Sequence, residues 1–261
     1  MSQPSSAPSL FPPNAESKVQ RVIAVMSGKG GVGKSSVTAM LAIGLSRQGK
    51  RVGVLDADIT GPSIPKLFGV KGSPEATAAG LMPGVSRQGV KLMSMNLLLG
   101  DEETPVIWRA PLLSQAISQF WTNTVWGELD FLLVDLPPGT GDVPLTVMQS
   151  LPLSGVVMVT SPQSLAMMVV KKAVNMAEKM DIPILGLVEN MSYVQCPGCA
   201  DPFYLFGKGK SDELARAMGV PLLATLPIDP QISELGDKGQ LEDYQSPLVQ
   251  TLAAEMLKTL A

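Results

Sequence analysis

Apolar residues occur along this chain in short continuous runs, and segments with helical spacing separate the runs. The runs cover residues 22–26, 52–55, 90–95, 131–136, 155–159, 184–188 and 222–226. Runs of this length without polar alternation are typical of strands buried on both faces of a sheet. Helical spacing extends over residues 35–48, 112–125 and 162–180, with Ser161 before the last segment as its expected N-cap.

The order of these segments predicts an α/β fold. Strands that alternate with helices form a mainly parallel sheet, because each crossover returns the chain to the same edge. We therefore expect a sheet of about seven or eight strands with helices on both faces. Residues 71–88 are punctuated by Gly and Pro, and they predict an inserted hairpin.

The two ends of the chain differ in pattern. Residues 1–19 are rich in Ser and Pro and have no period, so we expect a flexible leader before a single domain over residues 20–261. The segment after Ser246 and Pro247 carries its apolar residues on one helical face, with Lys258 as the lone basic residue beside it. A membrane-surface helix carries several basic residues there, so this pattern predicts a helix docked on the core.

Composition excludes several classes of site. The chain has 261 residues, 20 Lys+Arg against 23 Asp+Glu, two Cys and no His. Without His there is no Ser-His or Cys-His nucleophile pair and no imidazole metal site.

A net charge of −3 without a basic run argues against nucleic acid as a partner. The chain has neither a signal-peptide pattern nor an apolar run of about 18 residues, so we expect a cytoplasmic protein that does not bind membranes.

One glycine-rich segment matches the phosphate-loop pattern G-x-x-x-x-G-K-[ST]. It follows a predicted strand and opens a predicted helix, which is the context that the pattern requires. Glycines let backbone N–H groups turn towards phosphate oxygens, Lys34 reaches the outer phosphates, and Ser35 is placed to ligate Mg²⁺. The expected nucleotide-binding residues here are Gly28, Lys29, Gly30, Gly31, Val32, Gly33, Lys34, Ser35 and Ser36.

Acidic residues follow two of the predicted strands. Asp56 and Asp58 lie at the end of the second run, and Asp135 ends the run at 131–136. Parallel strands bring such carboxylates together at one edge, where Asp135 is expected to hold Mg²⁺ beside the phosphate loop. Asp58 is expected to act in the chemistry, with a helix cap as the alternative, and Asp142 is expected to cap a helix.

The two cysteines, Cys196 and Cys199, are separated by two residues. Thiolates at this spacing suit a tetrahedral site for Zn²⁺ or an iron–sulfur cluster, but such sites generally take four ligands. One chain supplies half of the set, and a two-fold axis near this loop would complete a Cys₄ site. A thioredoxin-type dithiol is a further alternative, although it requires a βα corner.

The run SGKGGVGKSS, with Lys29 early in the loop, resembles the deviant phosphate-loop ATPases that include the nitrogenase iron protein, MinD and ParA. The similarity is greatest to the Mrp/ApbC-type iron–sulfur cluster carrier proteins. Its further segments are LDADITGPSIPKLFG, VIWRAPLLSQAISQF, WGELDFLLVDLPPGTGD, GLVENMSYVQCPGC and LPIDPQISELGDKG. These segments cover nearly all of the chain after Arg21, with Ala110 where Gly is commoner.

This resemblance implies a single-domain P-loop NTPase fold and a homodimer with weak ATPase activity. Lys29 of one subunit would reach the phosphates bound by the other, and Asp58 would orient the attacking water. Asn190, Pro227 and Asp229 would contact the adenosine end of ATP, although Asn190 also suits a turn at a strand end.

The resemblance also implies a [4Fe–4S] cluster that bridges Cys196 and Cys199 of two subunits. The partners would be cluster assembly factors and apo-proteins that receive the cluster. The main alternative is a positional-switch ATPase of the ParA/MinD type with a structural zinc Cys₄ site. An electron donor like the nitrogenase iron protein would need two cysteines far apart in sequence, which this chain lacks.

Overall fold

A computed structural model describes residues 10–58, 61, 63–99 and 110–260 of the chain. In chain order its strands are β1 (Lys18–Ser27), β2 (Val52–Asp56), β3 (Ala76–Thr77), β4 (Gly80–Leu81), β5 (Gly84–Val85), β6 (Lys91–Ser94), β7 (Glu128–Asp135), β8 (Leu153–Thr160), β9 (Ile184–Glu189), β10 (Val194–Gln195), β11 (Pro202–Phe203) and β12 (Leu222–Thr225). Its helices are α1 (Lys34–Arg47), α2 (Ile64–Phe68), α3 (Met95–Leu99), α4 (Ala110–Asn123), α5 (Asp142–Ser150), α6 (Ser164–Glu178), α7 (Ser211–Ala217), α8 (Pro230–Asp237) and α9 (Pro247–Lys258).

The main sheet has eight strands in the order β12-β9-β8-β1-β7-β2-β6-β5. All its neighbouring pairs are parallel except β5 with β6, which are antiparallel. The predicted α/β architecture with a mainly parallel sheet is therefore confirmed. The segment predicted as an inserted hairpin forms the antiparallel pair β3 and β4 and then β5.

Successive residues of β1 face opposite sides of the sheet, as the pleat of a strand requires. Ala24 and Met26 lie in a core with α4, α5, α6 and α7, while Ile23 and Val25 lie in a second core with α1, α2 and α9. Both faces are therefore covered by helices, which explains why the strand runs lack polar alternation.

The C-terminal helix α9 packs on α1, as its apolar face predicts. Ser246 caps α9 by accepting a hydrogen bond from the N–H of Leu248 at 3.3 Å, and Val249, Leu252 and Met256 are buried. Within the described residues, no helix combines the length and apolar character that a membrane span requires.

Two predicted caps are wrong. Gln163 has extended backbone angles and is the N-cap of α6, which therefore begins three residues after Ser161. Gly141 precedes α5 as its N-cap, so Asp142 lies in the first turn of that helix. Helix α4 ends at Asn123, because Thr124 forms a bridge with Leu81.

Part of the predicted leader contacts the domain. The N–H of Phe11 donates to the carbonyl of Ser150 at 2.9 Å, and the indole N–H of Trp121 donates to the carbonyl of Phe11 at 2.8 Å. Strand β1 begins at Lys18, so residues 18 and 19, assigned to the leader from the sequence, belong to the sheet. Residues 1–9, like residues 106–109 of the VIWRAP segment, lie outside the described part of the chain.

Candidate functional site

The phosphate-loop residues connect β1 to α1 and line a cavity of about 210 Å³. Gly31 and Gly33 have φ angles of 79° and 76°, a left-handed conformation that residues with a side chain rarely adopt. Because α1 begins at Lys34, its free backbone N–H groups and its positive dipole end face this cavity. The loop therefore has the geometry of an anion site.

The strand register places Asp135 of β7 beside Asp56 of β2 and Val25 of β1. Asp135 is fully buried, and its carboxylate lies 2.8 Å from Lys34 Nζ and accepts a hydrogen bond from Ser35 Oγ at 2.6 Å. Thr38 Oγ1 donates to the other oxygen of Asp135 at 2.7 Å.

This carboxylate and hydroxyl pair fits Mg²⁺, which prefers hard oxygen ligands and retains several waters. Ser35 and Asp135 would hold the ion, as the sequence predicts. Thr38 was not singled out by sequence analysis, although it follows Lys34 by four residues and so lies on the same helix face.

Asp56 is a buried carboxylate that organises the loop after β2. It accepts hydrogen bonds from the N–H groups of Asp58, Ser63 and Ile64 at 3.1–3.2 Å and from Ser94 Oγ at 3.3 Å. Burial and, to a smaller extent, the charge of Asp135 raise the pKa of Asp56, the hydrogen bond from Ile64 lowers it, and the net result is a pKa of about 8.

Asp58 lines the phosphate cavity, and its carboxylate lies 3.8 Å from Lys34 Nζ. The helix that follows, α2, has Ser63 at its N-cap. Asp58 is therefore not the N-cap of α2.

Lys29 directs its ammonium group to Gln163 Oε1, the side chain that precedes α6. Its own carbonyl accepts a hydrogen bond from Ser27 Oγ at 3.0 Å, which fixes the backbone at the start of the loop. The side chain is half-buried and bound to Gln163, outside the lining of the phosphate cavity.

A second cavity of about 450 Å³ adjoins the first, because Ser36 lines both. Asn190, Pro227 and Asp229, the residues expected at the adenosine end of ATP, all line this second cavity. Asn190 Nδ2 also donates to the carbonyl of Val32 at 2.9 Å, so this side chain supports the phosphate loop as well.

Asp229 is held in place by two hydrogen bonds. It caps α8 by accepting from the N–H of Gln231 at 2.9 Å, and it accepts from the hydroxyl of Tyr244 at 2.8 Å. Burial and the hydrogen bond to Asp229 together raise the pKa of Tyr244 to about 12. Tyr244 carries no signal in the sequence pattern that would have indicated this role.

Cys196 and Cys199 lie between β10 and β11, at the tip of a small hairpin. The N–H of Cys196 donates to the carbonyl of Asp201 at 3.0 Å, and the N–H of Ala200 donates to the carbonyl of Cys196 at 2.8 Å. Hydrogen bonds from the N–H groups of Cys199 and Gly198, together with the side chain of Cys199, lower the pKa of the Cys196 thiol. A lower pKa favours the thiolate, which is the form that binds metals.

Both thiols are free and Cys199 is exposed. Among the described residues, no group of three or more His, Cys, Asp or Glu side chains could hold a metal. A thioredoxin-type dithiol lies at a βα corner, whereas this pair lies on a hairpin, so that alternative does not fit the fold. Three apolar side chains after Cys199 are largely exposed, namely Phe203 at 62%, Leu205 at 55% and Phe206 at 48%. We call these three residues the apolar rim.

Comparison with known proteins shows which protein family this chain resembles. The family model described as "ParA: NUBPL iron-transfer P-loop NTPase" matches residues 18–261. An iron–sulfur cluster carrier protein of Aquifex aeolicus is 50% identical over 224 residues, which are 85% of this chain and 61% of that protein. This chain therefore spans less than two thirds of the length of the Aquifex relative. A carrier of Methanocaldococcus jannaschii is 50% identical over 225 residues, covering 85% and 78% of the two chains.

The iron–sulfur cluster transfer protein NUBPL of the mouse is 42% identical over 231 residues, 88% of this chain and 72% of that protein. Among solved structures, a nucleotide-binding protein from Archaeoglobus fulgidus in complex with ADP and with Co has a TM-score of 0.80 and 48% identity, covering 88% and 90% of the two chains. The MinD cell division ATPase of Pyrococcus furiosus, at 24% identity and a TM-score of 0.66, covers 92% of this chain and 99% of its own and shares the fold.

The resemblance to iron–sulfur cluster carriers that rests on the sequence motifs is thus confirmed by relatives of 42–50% identity. With a family match from its first strand to its last residue, this chain belongs to the NUBPL-type iron-transfer P-loop NTPases of the ParA group.

Proposed function

We propose that this protein is a homodimeric carrier that binds an iron–sulfur cluster, binds and weakly hydrolyses ATP, and passes the cluster to apo-proteins. The observation that carries the proposal is the hairpin, which holds two free thiols in a chain that has no other cysteine. The name of the family and the names of the relatives support the same cargo.

The nucleotide would lie along the two adjoining cavities. Backbone N–H groups of the phosphate loop and the ammonium group of Lys34 would bind the phosphates, and the larger cavity would take the adenosine end beside Asn190, Pro227 and Asp229. Ser35 and Asp135 would hold Mg²⁺, which supplies positive charge to the phosphate oxygens when bound. Asp58 would orient the attacking water from the wall of the phosphate cavity.

A second copy of the chain would supply what one copy lacks. Lys29 would leave Gln163 and reach the phosphates bound by the partner subunit. Cys196 and Cys199 of each copy would together provide four thiolates, the number that a [4Fe–4S] cluster takes. The apolar rim follows Cys199 closely along the chain and is largely exposed, and dimer formation around the cluster would remove its side chains from water.

Transfer would proceed by exchange of ligands. Thiolates of an apo-protein would replace Cys196 and Cys199 on the cluster, and assembly factors would load it by the reverse exchange. The function requires reduced thiols, which fits a reducing compartment such as the cytoplasm. It requires neither nucleic acid nor a membrane.

Anaerobic reconstitution with iron and sulfide tests this proposal. We expect about four irons per dimer in the wild type, with loss of iron in Cys196→Ala and in Cys199→Ala. Gln195→Ala, which removes an exposed side chain and its 3.4 Å hydrogen bond to the carbonyl of Ala200 but keeps both thiols, is the control and should retain iron. One tightly held zinc per dimer without a cluster would contradict the carrier function and favour a positional-switch ATPase with a structural zinc site.

A further inference from the structure

The end of β9 contacts the phosphate loop through Asn190. Its side-chain N–H group donates to the carbonyl of Val32 at 2.9 Å. It also lies so close to Gly33 that a Cβ atom at position 33 would overlap it. The backbone N–H of Asn190 is fixed in turn by the carbonyl of Thr160 at 2.8 Å. A movement of the phosphate loop would therefore press directly on Asn190.

The preceding residue, Glu189, contacts the segment that follows the cysteine hairpin. Its side chain is 3% exposed, and its Oε1 accepts a hydrogen bond from Ser192 Oγ. Its Oε2 is buried and has no hydrogen-bond partner within the described part of the chain. This carboxylate lies against the backbone of Gly209, where a Cβ atom would overlap it. The segment after the hairpin can lie this close to Glu189 only because Gly209 has no side chain.

Hydrogen bonds join these two contacts through the turn between β9 and β10. The N–H of Ser192 donates to the carbonyl of Leu226 at 2.9 Å, and the N–H of Ile228 donates to the carbonyl of Tyr193 at 2.7 Å. Leu226 and Ile228 flank Pro227, which lines the larger nucleotide cavity. The ring of Tyr193 also lies 6.2 Å from that of Tyr204, just beyond the hairpin. The nucleotide cavities and the cysteine hairpin thus share one short turn.

Hydrogen bonds only partly offset the burial of the Glu189 side chain, because Oε1 accepts one and, within the described residues, Oε2 accepts none. A buried carboxylate oxygen without a donor loses the free energy of its hydration and gains no hydrogen bond. A small shift of the segment around Gly209 would change this balance, because packed contacts rearrange between discrete positions. The turn is therefore suited to a change of position when a ligand displaces the phosphate loop.

We propose that Glu189 is a positioning residue that links nucleotide occupancy to the geometry of the Cys196 and Cys199 thiols. The inference rests on the proposed function, because it names how the nucleotide regulates that thiol site. A nucleotide moves the phosphate loop, Asn190 transmits the movement to Glu189, and Glu189 shifts the segment around Gly209. By linkage, a ligand on the two thiols alters the affinity for nucleotide by the same factor.

The test measures thiol reactivity in the reduced, metal-free full chain. Rates of alkylation by iodoacetamide are followed for Cys196 and Cys199 by mass spectrometry, without nucleotide, with Mg-ADP and with a non-hydrolysable Mg-ATP analogue. In the wild type we expect nucleotide to change the rate of at least one thiol by about fivefold or more, a typical coupling between sites. In Glu189→Ala the change should fall below about twofold, with nucleotide affinity within about threefold of wild type.

Two further variants separate coupling from damage to the fold. Gly209→Ala should also abolish the nucleotide dependence, because its methyl group displaces the segment from Glu189. The double variant Glu189→Ala/Gly209→Ala has room for that methyl group, so it should recover the thermal stability lost in Gly209→Ala while the thiol rates stay independent of nucleotide. Lys210→Ala changes an exposed neighbour in the same segment. It should retain the wild-type ratio of alkylation rates with and without nucleotide.

Retention of the wild-type ratio in Glu189→Ala would overturn the inference. A wild-type protein that binds nucleotide without any change in thiol rates would also overturn it. Reconstitution reports separately on the carrier function: a cluster without thiol coupling rejects only this inference, whereas thiol coupling without a cluster supports the inference and rejects the carrier function.

Discussion

The hydroxyl of Thr38 lies 2.7 Å from the buried Asp135 carboxylate and 3.1 Å from the carbonyl of Lys34, so its single hydrogen is shared between these two acceptors. Thr38→Val keeps the shape of the side chain but removes this donor. We expect a loss of about 1–2 kcal/mol in the free energy of unfolding, because a buried carboxylate oxygen loses a hydrogen bond. Urea denaturation of the nucleotide-free protein measures this loss.

Thr38→Ser is the control, because it retains the hydroxyl and should keep more than half of the stability lost in Thr38→Val. Equal losses in the two variants would show that packing of the methyl group matters rather than the hydrogen bond. The phosphate-loop pattern ends at Ser35, so sequence analysis identified Lys34 and Ser35 and missed Thr38. The role of Thr38 depends on a strand about a hundred residues away, and no local pattern records that distance.

Asp56 should make stability depend on pH. Its pKa is raised from 3.8 to about 8, so the folded protein holds a proton that the unfolded chain has released between these values. Stability contributed by this group is therefore lost as the pH rises from about 4 to about 8, by up to about 1.4 kcal/mol per unit. Asp56→Asn removes this loss, so the stability of the variant relative to wild type should increase with pH.

Urea denaturation at pH 5, 6, 7 and 8, without Mg²⁺ or nucleotide, tests this prediction. Asp142→Asn alters an exposed carboxylate and should follow the wild-type curve. Parallel curves for Asp56→Asn and wild type would mean that Asp56 is ionised in the folded protein throughout this range.

At the scale of elements, the long buried strands were predictable, because burial on both faces requires a continuous apolar run. The amphipathic helices were predictable from their helical spacing of apolar residues. The pairs β3 with β4 and β10 with β11 have two residues per strand, too few for any period. The cap of α6 was misplaced because Pro162 and Gln163 extend the chain beyond Ser161, and the helix begins only where the backbone angles become helical.

Gly44 shows how contact between helices overrides helix propensity. A Cβ at position 44 would lie 2.5 Å from the carbonyl oxygen of Val249 and 2.8 Å from Cβ of Ala253, both in α9. Alanine favours helix over glycine by about 1 kcal/mol, but this clash involves backbone that cannot move away. We expect Gly44→Ala to lower the free energy of unfolding by about 1–3 kcal/mol in urea denaturation.

Gly236→Ala in α8 is the matched control. Its Cβ would meet only the end of the flexible Leu67 side chain, at 2.8 Å, so stability should stay within about 1 kcal/mol of wild type. A stabilised Gly44→Ala would mean that α9 shifts on α1 more easily than its packing indicates.

At the scale of the whole molecule, both candidate sites follow from the direction of the strands. The phosphate loop, Asp56, Asp135 and the turn that leads to the cysteine hairpin all begin where parallel strands end. Sequence reasoning predicted this shared edge for the phosphate loop and the carboxylates that follow parallel strands, but not for the turn that leads to the cysteine hairpin. The proposed homodimer rests on the family resemblance and on two thiols that make half of a four-ligand set, and no hydrophobic period in the sequence indicates which surface a second copy would cover.

The side chains of Lys34, Asp58 and Asp135 carry one positive and two negative formal charges around the phosphate cavity. An ATP molecule without a cation would bring its phosphates close to the carboxylates of Asp58 and Asp135, and this repulsion would offset part of the attraction from Lys34 and the backbone N–H groups. The cavity should therefore discriminate between free ATP and its magnesium complex. Occupancy would then follow the concentration of free magnesium as well as that of ATP, and a cell depleted of magnesium would hold this protein empty even when ATP is abundant.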